Sequence, residues 1–326
     1  MPSTEALARK PQLPQPISNH GVDVTIYDGF GKPWRVLPRA VFLWSKLDGG
    51  EITGVAKQGS IVGEQLRFQQ PDGPRIRMSR TSNDLYEAQW ACISHDKYGV
   101  VLEEVDMNHG LRLDACLIAS SFRKIYQDVI DLCYQRIYID NLDTLWAGDQ
   151  GRLPDRSVIE AKLFRPSTLV LRAIDAKLNV VGGGVIHSFQ VPANKSGMKG
   201  CQVTYIDDLA TVRDSHAGKA LWQALISISA DLVALHSILV ESTVNFWTSC
   251  GFRRVDPGNP QDVEWLSEEL YTKSGAVHSL NVDAFLAMLP GSDLPLFVCC
   301  LGNGLSASED PELALLPPCH AEVKAD

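Results

Sequence analysis

The sequence predicts an α/β (α+β) fold: a mixed central sheet with helices on both faces, preceded by a small β-rich domain. Short apolar runs separated by turn signals fill the first third of the chain. An amphipathic helix pattern follows from residue 122 on. A β-hairpin then interrupts an alternation of strands and helices, which is typical of a mixed sheet covered on both faces.

The chain has 326 residues, of which 45% are apolar and 21% charged. The apolar and charged fractions are ordinary for globular proteins, and the chain is long enough for two domains. We predict a proline-rich flexible arm at 1–20, a β-rich domain at 21–105, a second domain at 106–300 and a flexible tail at 301–326.

Charge and composition exclude several classes of function. The formal net charge of −9 disfavours binding to a phosphate backbone, so no nucleic-acid partner is expected. The same charge favours a cationic partner such as an amine. We expect a soluble cytoplasmic protein without a membrane partner, because no signal peptide or long apolar run is present. The eight cysteines match no common zinc spacing, so no metal site is predicted. The oligomeric state is not predicted.

The β-rich region shows strand candidates between glycine-containing turns. These candidates are residues 22–27, 40–44 and 99–105. Several short strands with such turns predict a small barrel or a curled sheet.

The second region begins with a strand candidate at 111–119 and continues with an amphipathic helix. The apolar positions that define this helix recur at helical spacing: Phe122, Ile125, Tyr126, Val129, Ile130 and Cys133. A second helix is expected between 140 and 165. The elements predicted after it are a strand hairpin of 168–174 and 180–189, a strand at 203–212, a helix at 218–231, a strand at 237–240, a helix at 243–250 and a strand from 252.

The turn between the strand at 203–212 and the next helix predicts an anion site. Free backbone N–H groups and the helix dipole at a helix start suit a pyrophosphate. Gly218 lies in this turn, and a glycine there lets the backbone approach phosphates closely. The glycine run 182–184 either leaves room for a substrate or marks a bend in its strand.

Four segments in sequential order resemble the GNAT acetyltransferase superfamily over roughly residues 110–256. They are the strand at 180–186, the strand end Leu209-Ala210-Thr211-Val212, the turn Ala217-Gly218-Lys219-Ala220 and the stretch from Asn245 to Phe252. The phosphate-loop motif is degenerate, and two registers remain open. One ends the motif at Gly218 and Ala220 and puts Ser215 at its basic or amide position. The other puts Ala217 there and Trp222 at the last glycine.

The resemblance implies an acyl-CoA-dependent N-acyltransferase. Acetyl-CoA, or another acyl-CoA, would lie between the strands at 203–212 and 237–241. The acceptor would be an amine of a small molecule or peptide that attacks the thioester directly. The residues implied in donor binding are Leu209, Ala210, Thr211 and Val212 for the pantetheine, Ala217, Gly218, Lys219, Ala220 and Leu221 for the pyrophosphate, and Asn245 and Trp247 on the later helix.

The acid–base residues are predicted from their positions. The family's usual tyrosine acid aligns with Trp247, whose indole does not ionise near neutral pH. Asp207 and Asp208 are the first candidates for a proton relay, and strand alternation predicts that their side chains point to opposite faces. Glu241 follows, at the end of the next predicted strand. Tyr205 is a further candidate. The alternative is a catalytically degenerate fold that binds CoA or a protein partner.

Overall fold

The computed structural model describes residues 16–19, 21–37, 40–78, 89–95, 99–105, 112–141, 155–229, 231–237 and 239–301. The predicted arm lies outside these residues up to position 15, and the predicted tail lies outside them from position 302. Among the described residues, no helix combines the length and the apolar character needed to cross a membrane.

The strands are numbered in chain order. They are β1 Ile17–Asn19, β2 Val22–Asp28, β3 Lys32–Val36, β4 Ala40–Lys46, β5 Gly49–Lys57, β6 Ile61–Gln70, β7 Gly73–Met78, β8 Gln89–Cys92, β9 Ser94–His95, β10 Gly99–Val100, β11 Leu102–Glu104, β12 Thr168–Asp175, β13 Val180–Val191, β14 Cys201–Thr211, β15 Leu232–His236, β16 Arg253–Val255 and β17 Leu296–Cys300.

The helices are α1 Ser120–Cys133, α2 Ser157–Lys162, α3 Ala217–Ile228, α4 Glu241–Ser249, α5 Pro260–Lys273 and α6 Val282–Met288. A 3₁₀ turn spans Leu113–Ala115, and a π-helical segment, Tyr134–Ile139, continues α1. Asn259 caps the start of α5 by accepting a hydrogen bond from the Gln261 amide, and Pro260 occupies the first turn.

The larger sheet has eight strands in the order β1-β2-β12-β13-β14-β15-β17-β16. It is mixed, because β14 and β15 pair in parallel while β13 pairs antiparallel with both of its neighbours. Helices cover both faces, which confirms the predicted fold class. A side chain at Gly182 would meet Leu221 of α3 at 2.9 Å, and one at Gly183 would meet Val129 of α1 at 3.0 Å. The glycine run therefore lets a helix pack closely on each face, and two of its three members serve packing, not substrate.

The first two strands are placed differently from the prediction. Residues 22–28 were expected in the β-rich domain, but β2 pairs with β12 in the larger sheet, and β1 extends that sheet by one strand. Val22 and Val24 are buried in the core beneath α3. A short apolar strand of this kind suits either sheet, so the pattern alone does not identify its neighbour.

The smaller sheet has seven strands in the order β11-β3-β6-β7-β8-β4-β5. Its inner face carries a separate apolar core that includes Trp34, Leu43 and Ile76. The remainder of the chain meets this sheet at Ile61, whose carbonyl accepts a hydrogen bond from the Leu117 amide.

Two other predictions about elements need correction. Of the strand predicted at 111–119, the described residues 112–119 do not form a strand, since the 3₁₀ turn occupies their middle and Cys116 makes only an isolated bridge to Ile61. The strand predicted at 237–240 is β15 at Leu232–His236, because the apolar run there is buried on both faces. The hairpin β12–β13, strand β14 and helix α1 are confirmed.

Candidate active site

A β-bulge in β14 shapes the candidate site. Val185 of β13 faces Asp208, but the next residue, Ile186, faces Ile206, so Asp207 is an extra residue in β14. Gly184 lies beside the bulge, where a side chain would come within 2.8 Å of the Asp208 carbonyl oxygen. The bulge resets the alternation, so Asp207 and Asp208 both contact the segment formed by α2 and its following turn. The prediction of opposite faces is therefore wrong.

A gap opens between β14 and β15 directly after the bulge begins. The two strands pair only over Val203–Ile206 and Leu232–Leu235. Beyond this point, the described residues provide no strand partner for 207–211 on the β15 side. Of the predicted pantetheine contacts, Leu209, Ala210 and Thr211 lie on this open stretch, and Val212 follows it. Their other edge pairs with β13, so the backbone groups directed into the gap are available to a ligand.

Two ion pairs hold the aspartates of the bulge, and both carboxylates are buried. Lys162 Nζ lies 2.5 Å from Asp208 Oδ2, with side chains 13% and 3% exposed. Arg165 Nη1 lies 2.7 Å from Asp207 Oδ1. Both cations belong to α2 and the turn after it, which are anchored by the fully buried Leu163.

Two histidines complete the cluster. His187 Nδ1 lies 2.8 Å from Asp207 Oδ2, and the Tyr205 hydroxyl lies 2.8 Å from His236 Nδ1. The rings of His187 and Tyr205 are neighbours, with centroids 5.3 Å apart. We define the bulge cluster as these two histidines and Tyr205 together with the two ion pairs.

The surroundings shift the pKa values of the two aspartates in opposite directions. Burial alone would raise the pKa of Asp207, but its hydrogen bond with His187 and the attraction of His187 and Arg165 hold that pKa below its ordinary value. Burial raises the pKa of Asp208 by more than the neighbouring Lys162 lowers it. Asp207 is therefore a weak base, and Asp208 is buried behind a lysine.

Burial and charge also shift the pKa values of Tyr205, His236 and Lys162. Burial raises the pKa of Tyr205, which keeps the phenol protonated. Burial lowers the pKa of His236, which keeps that imidazole neutral at physiological pH. Burial would lower the pKa of Lys162, but the Asp208 carboxylate outweighs it, and the lysine stays charged.

The start of α3 lies at the open end of the gap. Ser215 Oγ donates to the Val212 carbonyl at 2.6 Å and accepts from the Ala217 amide at 3.4 Å. A side chain at Gly218 would lie 3.1 Å from the Phe246 ring, so this glycine is needed for the packing of α4. The sequence reasoning, which assigned Gly218 to phosphate approach, missed that requirement. Lys219 is exposed, whereas three predicted neighbours have buried side chains: Ala217, Ala220 and Leu221.

Three predicted site residues lie on helix α4. Glu241 does not end a strand but opens α4, where its side chain is exposed. Asn245 is also exposed on this helix. Trp247 is 5% exposed and packs edge-on against Phe252, so its side chain belongs to the core.

The sequence reasoning missed four members of the bulge cluster: Lys162, Arg165, His187 and His236. Each histidine offered a signal, because it is the first polar residue after an apolar strand run. The two cations lie in a region where helix limits were not predicted. Within the described part of the chain, no group of three or more His, Cys, Asp or Glu side chains is arranged to hold a metal ion.

No protein-family model matches the sequence, and no curated protein matches it. Solved structures similar to this chain include an acetyltransferase of the GNAT family from Staphylococcus aureus. That protein is 17% identical to this chain, and the alignment covers 55% of this chain and 94% of the other, with a TM-score of 0.34.

Two further solved structures that resemble this chain are of eukaryotic proteins. Tetrahymena GCN5 is 10% identical, with 56% of this chain and 90% of the other covered and a TM-score of 0.34. Arabidopsis thaliana NAA60, in complex with a bisubstrate analogue, is 13% identical, with 51% and 95% covered and a TM-score of 0.30. At these TM-scores the similarity supports no functional assignment. The function is argued instead from the geometry of the gap and the bulge cluster.

Proposed function

We propose that this chain is an acyl-CoA-dependent N-acyltransferase that transfers an acyl group, such as acetyl, to a primary amine of a small molecule or peptide. One observation carries the proposal. The gap between β14 and β15 leads from the first turn of α3 to a bulge at which buried titratable groups converge.

The donor fits this gap in an extended form. The free edge of 209–211 offers backbone hydrogen bonds to the amides of pantetheine, much as a strand edge binds a peptide. The amides of Gly218 and Lys219 in the first turn of α3 are the N–H groups offered to the pyrophosphate, and the exposed Lys219 side chain adds a positive charge beside them. Asn245, exposed on α4, is a further contact for the donor, whereas Trp247 supports the wall from inside the core.

The reaction requires positioning more than strong acid catalysis. The amine nitrogen attacks the thioester carbonyl carbon, a C–N bond forms and the C–S bond breaks. A thiol has a pKa of about 8.5, so CoA leaves as a thiolate without a strong acid near neutral pH. The buried position of Trp247, where the family carries a tyrosine acid, is compatible with this reaction.

Trp247, at the position where the family carries a tyrosine acid, favours a second function. If the absence of that tyrosine abolishes catalysis, the gap binds CoA only, and the chain is a binding module. Buried titratable groups with shifted pKa values are more typical of a catalytic site, which is why the transferase is our first choice.

Calorimetry with acetyl-CoA and longer acyl-CoAs tests donor binding. A matched pair of charge reversals tests its location. Lys219→Glu puts a negative charge at the start of α3, whereas Lys177→Glu makes the same change in the exposed turn between β12 and β13. We expect Lys219→Glu to weaken acyl-CoA binding several-fold and Lys177→Glu to leave it unchanged.

Equal affinities in the two variants would remove the pyrophosphate assignment. A wild-type protein that binds no acyl-CoA would overturn the proposed function. Tight binding without release of CoA thiol in the presence of amines would support the binding module instead.

A further inference from the structure

Three side chains of the bulge cluster form a chain of contacts from the surface to the centre of the sheet. Arg165, 38% exposed, contacts one carboxylate oxygen of Asp207 at 2.7 Å. The other oxygen of Asp207 lies 2.8 Å from Nδ1 of His187. Asp207 itself is 3% exposed, so its two oxygens are held by these two partners out of bulk water.

We propose that His187 is the general base of the acyl transfer and that Asp207 and Arg165 position it. The inference rests on the proposed function and names the group that takes the proton from the attacking amine.

The carboxylate decides which nitrogen of His187 is basic. An ionised carboxylate only accepts hydrogen bonds, so Nδ1 of His187 must carry its proton toward Asp207. In the neutral ring, Nε2 then holds the lone pair and is the available base. The negative charge of Asp207 also stabilises the imidazolium that forms when Nε2 takes a proton, and Arg165 keeps Asp207 ionised and in place.

The other groups facing His187 are worse bases. Asp207 is paired with two cationic or proton-donating groups, and its pKa lies below the ordinary value. Asp208 lies behind Lys162 at 2.5 Å. Tyr205 keeps its proton and shares a hydrogen bond with His236. Phe189, from the same strand as His187, contributes only an apolar ring, 5.5 Å from the imidazole.

The proton balance closes without a further reagent. Nε2 of His187 takes one proton from the ammonium form of the nucleophile and becomes an imidazolium, and the free amine then attacks the thioester. As the C–N bond forms, the C–S bond breaks and CoA leaves as a thiolate, which takes the second proton from the nitrogen. The imidazolium releases its proton to water, and the products are an amide, CoA thiol and one proton.

The test compares two nucleophiles with acetyl-CoA as the donor. Butylamine is protonated at neutral pH and needs a base, whereas hydroxylamine is largely deprotonated and does not. We expect His187→Gln to lower kcat/KM for butylamine by roughly 10²-fold or more, the range typical of general-base loss. We expect it to lower kcat/KM for hydroxylamine only slightly, and added imidazole to restore butylamine turnover in His187→Ala.

A spectroscopic measurement tests the positioning without turnover. ¹⁵N NMR of the wild type should show His187 with its proton on Nδ1, and Asp207→Asn should move that proton to Nε2. Equal losses for both nucleophiles in His187→Gln would show a structural role only, and unchanged turnover or a wild-type proton on Nε2 would also overturn the inference. If the wild type releases CoA with neither nucleophile, the proposed function fails and this inference fails with it.

Discussion

The two sheets of this protein handle charge in different ways. In the smaller sheet, the ion pair of Lys32 and Glu104 joins neighbouring strands at the surface, with Glu104 57% exposed. In the larger sheet, Lys162 and Asp208 are 46 residues apart in sequence, and their side chains form an ion pair that is almost fully buried. Removing charges from water costs several kcal/mol per ion, whereas an exposed pair costs and contributes little.

The buried ion pair indicates which part of the molecule carries the chemistry. A fold gains no obvious stability from burying a lysine beside an aspartate, because apolar residues of similar volume often serve as well. Both ion pairs of the bulge cluster lie on the residues where β14 leaves β15. In the smaller sheet, Glu64 and Arg75 are each 11% exposed, but each pairs with an exposed partner three residues away in sequence. The smaller sheet is therefore better explained as a packing unit.

The largest expected effect comes from separating the buried pair. Lys162→Met leaves the Asp208 carboxylate buried without its cation, and we expect the free energy of unfolding to fall by about 3–5 kcal/mol. Glu104→Gln in the smaller sheet is the control and should cost less than about 1 kcal/mol. Denaturant unfolding of the wild type and both variants measures these changes in the free energy of unfolding.

The double variant Lys162→Met/Asp208→Leu sharpens the same comparison, because it removes both charges and should recover most of the loss. Equal costs for Lys162→Met and Glu104→Gln would contradict the distinction between the two sheets.

A smaller effect is expected from adding one methyl group to a glycine in each sheet. Gly184→Ala brings a carbon to 2.8 Å from the Asp208 carbonyl, which is backbone and cannot turn away. We expect a loss of about 1–3 kcal/mol, the range for overpacking. At Gly54 of the smaller sheet the nearest atoms are side-chain ends at 3.3 and 3.4 Å, so Gly54→Ala should change stability by less than about 0.5 kcal/mol. The same denaturation experiment applies, and a Gly184→Ala protein of wild-type stability would show that the bulge tolerates a side chain.

The pH dependence of stability tests the state of Asp207. Its pKa in the folded protein is lowered, so its stabilising contribution is present above the unfolded pKa of about 3.9 and is lost as pH falls through the folded value. Wild type should therefore exceed Asp207→Asn in stability near neutral pH, and the difference should shrink in acid. Unfolding free energies of both proteins across this range decide the point, and a pH-independent difference would show that Asp207 has an ordinary pKa.

The smallest effect is expected on the outer face of the smaller sheet. Phe42 is 53% exposed, so Phe42→Ser should change the unfolding free energy by less than about 0.5 kcal/mol. Its neighbour Leu43 is 2% exposed on the inner face, and Leu43→Ala should cost about 2–5 kcal/mol. Similar costs for the two variants would mean that the outer face is covered.

Local patterns were enough to predict the elements whose own residues decide their structure. The helical spacing from Phe122 to Cys133 gives α1, and the hairpin β12–β13 follows from two apolar runs joined by a short turn. Asp207 and Asp208 lie on β14, as predicted. Side-chain direction was not, because the bulge depends on what β13 presents to β14.

From the sequence alone followed the fold class, the order of most elements in the second half and the place of Asp207 and Asp208 on a strand. Tertiary structure decided the rest. It assigned β2 to the larger sheet, it set the bulge through Gly184, and it brought Lys162 and His187 to Asp207 and Asp208. The physical reason is that propensity and periodicity act between neighbours in sequence, whereas pairing of buried charges depends on contacts between distant segments that only the packed chain creates.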